Sequence, residues 1–446
     1  MNFLKSVAIA AAAFCASQAH AITPADMNAA GTLKVFVGGA SALSGAIGGL
    51  FTQNCAAGTR TDYKLTTVSV AYPTPASFGT IYACTVIAGN DFGLPTGTNV
   101  MFQKRDAGGS GIGVYPVSNN VAIDFIDPTS CTGPASGAGT CTALIQRVSD
   151  GGVSDVEPAV FAGALNTPPE SVGSSLGNLF TSQPINQTIF GLTVTNALYT
   201  ALQTQQGLTA AQRPNISQAV AAQMLRNNFL TDPIGWKLLL PTATQAAQES
   251  QVTICRRVNG SGTQAAANRF FLEYPFNTVS VMEPLGAGDS TVATHGTATK
   301  QLFVVDNSAT ADVRNCMTAA NAAGGFALGH ISVENAETAA WKFVKVSGQE
   351  PSRDEAKNGR YGYIFESTGQ TSTLAPANVK AFLNTFFLGA GKPANLAQLS
   401  AATQNGVMAN PSVCPDPFGT GTANEIAFCS RVTRNGNSAE FPGFFR

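Results

Sequence analysis

The residues best suited to chemistry lie in Ile254-Cys-Arg-Arg-Val-Asn-Gly-Ser-Gly-Thr263, which runs on into Gln264-Ala-Ala-Ala-Asn-Arg-Phe-Phe271. The order is strand, tight loop, helix start, and that is the geometry of an anion pocket. Gly260 and Gly262 permit a sharp turn, while Ser261 and Thr263 can cap the helix and leave hydroxyls and N–H groups facing outward. A helix N-terminus carries unpaired N–H donors and a partial positive charge, and Arg257 adds a planar fork suited to a tetrahedral oxyanion. A plain strand-to-helix turn would read the same way, because Gly-Ser-Gly recurs at Gly109-Ser110-Gly111 in a chain with 45 glycines. For Arg257 the competing reading is an ion pair with an acid such as Glu273.

Three more stretches could bring donors or acceptors to such a pocket. Thr32-Leu-Lys-Val-Phe-Val37 reads as a buried strand ending at Gly38-Gly-Ala-Ser41, and the apolar spacing from Ala42 to Phe51 predicts a helix with Ser41 at its N-cap. Val100 to Lys104 reads as a strand leading into Arg105-Asp-Ala-Gly-Gly-Ser-Gly-Ile112, a second turn rich in amide and hydroxyl donors. Ser154-Asp155 follows a short strand in Gly151-Gly-Val-Ser-Asp-Val-Glu-Pro158, and a helix cap or turn residue is the alternative role for Asp155.

Further along, 168–186 reads as a polar loop, Gln187 to Val194 as a strand, Leu198 to Leu202 and Pro214 to Leu230 as helices, and Val252 to Cys255 as the strand feeding the central loop. Val313 to Ala323 and Pro376 to Leu388 predict helices. Gly324 to Ser332, Trp341 to Val346 and Gly362 to Phe365 predict strands, and His330 inside an apolar strand reads as a satisfied core residue. Strands alternating with helices indicate an α/β fold. Residues 119–142, rich in Asp, Pro, Ser, Gly and Thr around Cys131 and Cys141, read as a disulfide-tied surface insertion, and 391–446 as a stapled C-terminal extension.

Composition narrows the function. Lys5, the apolar run Val7 to Phe14 and Ala19-His20-Ala21 form a secretory leader with cleavage expected before Ile22, and Phe14 is too bulky for lipoprotein processing at Cys15. Removing 1–21 takes away Lys5 and no acid, leaving 24 basic against 26 acidic side chains and a charge of −2. Nucleic acid is therefore not an expected partner, and no basic stripe interleaved with aromatics occurs. About 425 residues exceed one core and fit two lobes or more. Eight cysteines remain, an even number in an exported chain, which favours disulfides over metal. With only His295 and His330 beside them and no Cys-x-x-Cys, a zinc site is not expected. Sequential pairing is our guess (Cys55 with Cys84, Cys131 with Cys141, Cys255 with Cys316, Cys414 with Cys429), although spacing does not decide it.

Four of these pieces, in this order, resemble the phosphate-binding proteins of bacterial ABC importers. Gly-Gly-Ala-Ser41 is similar to that family's Gly-Ala-x-Ala-Thr-Phe loop, with Ser41 at the Thr position and Ala42 in place of the Phe. Gly109-Ser110-Gly111 resembles its Gly-Ser-x-Gly loop, with Ser110 the ligand-facing hydroxyl, and Ser154-Asp155 falls where the family carries Ser-Asp. Arg257, Ser261, Gly262 and Thr263 match Arg-x-x-x-Ser-Gly-Thr without a gap. The resemblance implies a two-lobed periplasmic-binding-protein fold with two crossover strands and ligand in the cleft. Lobe one would hold 22–184 and 347–446, and lobe two 185–346. Ser41, Ala42, Ser110, Asp155, Arg257, Ser261, Gly262 and Thr263 would form the site, for phosphate or a similar protonated oxyanion, with no cofactor, a periplasmic or secreted location and an ABC permease as partner. The insertion and the tail have no place in that pattern. A structural or adhesive protein on the same scaffold is the first alternative. A secreted hydrolase is the second, and it is weakened by the absence of a Gly-x-Ser-x-Gly elbow, a His-Glu-x-x-His or a P-loop.

Overall fold

The computed structural model describes residues 20–66, 78–133, 137–171, 174–227, 235–277, 283–286, 288–295, 298–416 and 421–444. Residues 1–19 of the expected leader, with Lys5 and Cys15, lie outside the described residues. No described helix is long and apolar enough to cross a membrane.

The elements that matter for the site are β1 (Leu33–Gly39), α1 (Ser44–Asn54), β2 (Thr61–Leu65), β3 (Gly79–Thr85), β4 (Asn99–Arg105), β5 (Gly151–Ser154), β6 (Phe180–Thr195), β7 (Val252–Arg257), α2 (Gly262–Leu272), β8 (Ala298–Asn307), α3 (Thr310–Ala322), β9 (Phe326–Ser332), β10 (Ile364–Ser372) and α4 (Ala377–Gly391). One hydrogen-bonded path runs β8-β7-β9-β6-β10-β5-β1-β4-β3-β2. β1 lies parallel between β4 and β5, and β7 parallel between β8 and β9. A strand with parallel neighbours on both sides is covered on both faces, which is why Leu33–Val37 and Val252–Cys255 read as near-continuous apolar runs.

The two halves meet at β6 and β10, which pair antiparallel from Phe180–Ser372 to Ile189–Ile364, with a shift in register between Pro184 and Gln187. Beyond that shift β6 takes β9 as its other neighbour, from Phe190–Ser332 to Val194–Leu328, whereas β10 pairs with β5 at Thr368–Thr371. The result is the mixed α/β architecture with two crossover strands that the sequence led us to expect. The apolar side chains fall into separate clusters, and the largest of them takes residues such as Val114, Val156 and Phe161 as well as those around β7. Phe51, Phe92, Phe102 and Phe386 pack with ring centroids 4.8–5.8 Å apart in another. Phe190, Leu192, Trp236, Ile254, Leu328 and Trp341 belong to the largest. Burying each such side chain contributes about 1.5–3 kcal/mol.

Several expectations need correction. β6 begins at Phe180, inside the stretch read as a polar loop, because its pairing with β10 is a backbone ladder that tolerates polar side chains such as Gln183. Ser41 opens a 3-10 turn, Ser41–Leu43, and the α-helix starts only at Ser44, so Ser41 is not an α-helix N-cap. The helix expected over 214–230 is shorter, Gln218–Leu225, because Asn215–Ile216 pairs with Lys345–Val346; residues 228–230 lie outside the described ones. The Cys131 insertion joins the main sheet, with Gly137–Cys141 running parallel to β2 and Cys141 fully buried.

Disulfides join Cys55–Cys84, Cys131–Cys141, Cys255–Cys316 and Cys414–Cys429. The C-terminal extension is strapped onto the crossover strands. Val407–Met408 pairs with β6, the Gln187 side-chain amide donates to Val432 O at 2.8 Å, and Thr433 Oγ1 donates to Glu366. Arg269, near the far end of α2, donates to Ser438 O (2.8 Å) and Ala439 O (2.5 Å).

Candidate functional site

Two glycine loops dock face to face. Gly111 N donates to Gly260 O at 2.8 Å, and a Cβ on Gly109 would stand 3.1 Å from the Ser261 Cα. Gly109 (φ 69°) and Gly260 (φ 84°) are left-handed, a conformation that only glycine adopts without strain and that lets the backbones approach this closely. β4 delivers the first loop and β7 the second. Ser261 stands at the N-cap of α2 with extended backbone (φ −72°, ψ 128°) and makes no side-chain capping bond, while its carbonyl accepts from Ala265 N at 2.9 Å.

Asp155 lies against this junction. Its carboxylate accepts from the Ser110 hydroxyl and, at 3.4 Å, from Thr263 Oγ1, and its own N–H donates to Ser110 Oγ at 3.3 Å. A Cβ on Gly262 would fall 1.8 Å from Asp155 Oδ1 and 2.4 Å from Ser110 Oγ, so the first residue of α2 must be glycine to admit the carboxylate. An anion therefore already occupies the positive end of α2, and it belongs to the protein. Ser110, Asp155, Ser261 and Thr263 are each no more than 3 % exposed. Burial pushes the Asp155 carboxyl up to about 6, and the positive charges of Arg257 and Lys104 oppose that rise.

Arg257 is buried at the end of β7 and its charge acts on Asp155, but its donors are aimed elsewhere: Nε to Asn307 O (3.1 Å), Nη2 to Ser308 O (2.8 Å) and Nη1 to Thr310 Oγ1 (3.2 Å). Carbonyls at the β8–α3 junction hold the guanidinium, in place of the Glu273 pair considered from the sequence. Burial pulls Arg257 down to about 10, against the attraction of Asp155 and Asp312. Behind it, Gln264 Oε1 accepts from Arg257 N at 3.1 Å and lies 3.0 Å from His330 Nε2. His330 is fully buried and depressed to about 3 by that burial and by repulsion from Arg256 and Arg257, so it is a neutral core residue.

Ser41 stands apart from this cluster. It is half-buried in the wall of an adjoining cavity of about 1020 Å³, and Ala42 is 5 % exposed. Ser110, Asp155, Arg257, Ser261, Gly262 and Thr263 do not line that cavity, although their chain neighbours Gly108, Ile112, Val258 and Asn259 do.

Sequence reasoning missed Lys104. Its ammonium is buried on β4, donates to Gly39 O at 3.3 Å, pairs with Asp106, and is one of the two cations acting on Asp155. A lysine inside Val-Met-Phe-Gln-Lys, just before a glycine loop, was the available signal. Gln264 was missed as well, because nothing in a helical Gln marks it as a brace for Arg257.

No family model matches this chain, and no curated protein does. Among solved structures it is similar to PstS from Borrelia burgdorferi (11% identity, 79% of this chain and 92% of that one, TM-score 0.35). It is also similar to an ABC-type phosphate transport receptor from Vibrio cholerae (13%, 54% and 74%, TM-score 0.32). A third is a Clostridium perfringens protein assigned as a phosphate ABC transporter substrate-binding protein and solved with bound phosphate (14%, TM-score 0.29); 46% of this chain matches it and spans 65% of its length. Likeness at this level carries no residue-by-residue correspondence.

Proposed function

We propose that this chain is an exported solute-binding protein that takes phosphate or a closely related protonated oxyanion, such as arsenate, where the Ser110 and Ser261 loops meet, and passes it to an ABC permease. The observation that carries the reading is the buried anion seat itself: the glycine-led start of α2, two hydroxyls aimed at one point, and two buried cations acting on it. Lobes of 22–184 with 347–446 and of 185–346 would hinge at β6 and β10, since two connecting strands permit closure on a ligand.

Binding would require the halves to part far enough for the oxyanion to take the hydroxyls of Ser110 and Thr263 and the first-turn N–H groups of Gly262 and Thr263, the Ser261 N–H being held by Val258 O at 3.2 Å. Asp155 would turn from occupant to selector. An ionised carboxylate only accepts, so it favours an oxyanion that still carries a proton and repels fully ionised sulfate. Arg257 would supply a charge-assisted contact by exchanging a carbonyl partner for the ligand. Isothermal calorimetry of the wild-type protein with phosphate tests the reading: one saturable site of micromolar or tighter affinity is expected, and no heat at millimolar phosphate would refute it.

One observation favours a second reading. The carboxylate already fills the seat, which is what a structural or adhesive protein on this scaffold would need to tie its halves together permanently. That protein would bind neither phosphate nor sulfate.

A further inference from the structure

Where the C-terminal extension packs on β6 and β10 it leaves a second cavity, of about 530 Å³, within the range of small-molecule sites, about 300–1,000 Å³. β6 contributes Phe180 and Pro184, β10 contributes Glu366, the turn after β5 contributes Glu157 and Pro158, and the extension contributes Ser438. Ala159 and Ser182 in the same wall are exposed, so solvent reaches the space. It shares no lining residue with the cavity of about 1020 Å³ beside the Ser110 and Ser261 loops.

Glu157 gives this cavity its chemistry. The residue is 4 % exposed, and neither carboxylate oxygen has a hydrogen-bond partner among the described residues. Arg434 does not close on it. Its Nη1 stands 3.8 Å from Glu157 Oε1, while its Nε donates to Glu440 O at 3.1 Å and its guanidinium lies over the Phe365 ring, 3.8 Å from the centroid. The Ser438 hydroxyl is also buried there without a partner. Burial raises the Glu157 carboxyl to about 7, opposed by the charges of Arg434 and Arg269 and helped by repulsion from Glu366. Buried carboxylates are normally hydrogen-bonded, so orphaned oxygens in a cavity wall call for a donor from outside the chain.

The wall also limits what that donor is. Glu157 and Glu366 are the only ionisable side chains among the described residues that line it, and Arg434 and Arg269 do not. Glu366 Oε1 already accepts from Thr433 Oγ1 and Arg434 N, so Glu366 acts chiefly through its charge. An anion would meet two carboxylates, and a hydroxyl brings a single donor. An ammonium brings a charge of the right sign and three donors, where Glu157 and Ser438 leave acceptors unused. Phe180, Pro158 and Pro184 offer apolar faces to a hydrocarbon body.

We propose that this cavity is a second binding site, for a small primary amine, with its ammonium on the Glu157 carboxylate and its apolar body against Phe180, Pro158 and Pro184. Calorimetry at pH 7 in an amine-free buffer, with phenethylamine and with phenethyl alcohol, tests it. Phenethylamine is expected to fill one saturable site, and the alcohol, of the same shape without the charge, to bind about tenfold more weakly or less. Glu157→Gln should weaken the amine about tenfold or more, since it removes a charge-assisted contact. Ala159→Trp places a ring in the cavity from an exposed position and alters no charge, so it should cause the same loss with thermal unfolding unchanged, and it carries the test if Glu157→Gln does not fold. No heat at millimolar phenethylamine, or equal binding of the amine and the alcohol, would overturn the proposal. Amine binding that survives Ala159→Trp would place the amine elsewhere and overturn it too. Phosphate titrations do not bear on this site, so either reading can fail while the other stands.

Discussion

Replacing Asp155 with Asn should change how stability depends on pH, because the native carboxylate sits in a place that burial disfavours. Its folded value is about 6 against 3.8 for the free side chain, and the leading cause is desolvation. A carboxyl whose folded value is raised contributes stability that is fully present below the unfolded value and is lost as pH rises through the folded one. At about 1.36 kcal/mol for each pH unit, the rise from 3.8 to about 6 corresponds to about 3 kcal/mol. Part of this is already lost at pH 4, just above the unfolded value, so wild type should lose about 2.4 kcal/mol between pH 4 and pH 7 through this group, and Asp155→Asn should not. Each protein would be unfolded in guanidinium chloride at pH 4, 5, 6 and 7 in phosphate-free buffer, and the stability of the variant minus that of wild type plotted against pH. Effects of the substitution that do not depend on pH shift the whole curve and leave its slope alone. The curve should climb by about 2.4 kcal/mol from pH 4 to pH 7 and flatten above that. A flat curve would show that Asp155 ionises as freely as an exposed aspartate, and the argument for a desolvated anion seat would fail. The same variant presents a donor where the carboxylate only accepted, so its affinity for sulfate relative to phosphate should rise.

Arg257→Ala removes a charge-assisted contact, about 1.5–3 kcal/mol, and should weaken phosphate binding about tenfold to more than a hundredfold by calorimetry. Gly262→Ala places a methyl group on the Asp155 carboxylate and should destabilise by about 1–3 kcal/mol in chemical denaturation, with loss of anion binding; a variant as stable as wild type would show that the loops are not docked. Arg269→Ala frees the carbonyls of Ser438 and Ala439, and limited proteolysis should then cut the last segment of the chain faster than in wild type. Thiol counting on the denatured exported protein should find no free cysteine, and two or more would refute the four disulfides.

The α/β class was legible because buried parallel strands such as β1 and β7 must be apolar on both faces and must end in glycine turns where a helix begins. The Ser110, Asp155 and Thr263 cluster could be named residue by residue only through the resemblance of their short motifs to those of phosphate-binding proteins; from the sequence alone Asp155 reads equally as a cap or turn residue. What the sequence did not disclose is long-range. Nothing in Ser154-Asp155-Val156 says that its carboxylate will fill the seat at α2, 108 residues away from its partner Thr263. Arg257 reads as a ligand fork until the carbonyls of Asn307 and Ser308 arrive from another strand. β6 was truncated in the reading because Phe180 to Asn186 is polar, and its backbone partner lies nearly two hundred residues on. The tail was recognised as stapled, but its grip on β6, β10 and α2 depends on carbonyl groups, which leave no trace in side-chain pattern.

Calorimetric titration of the wild-type protein with phosphate and, separately, with sulfate at pH 7 tests the central claim most directly, because the same seat must accept one anion and refuse the other. The account predicts a single saturable phosphate site of micromolar or tighter affinity and sulfate binding at least a hundredfold weaker. Equal binding of the two anions would contradict the role given to Asp155, and binding of neither at millimolar concentration would contradict the claim that the seat receives a ligand.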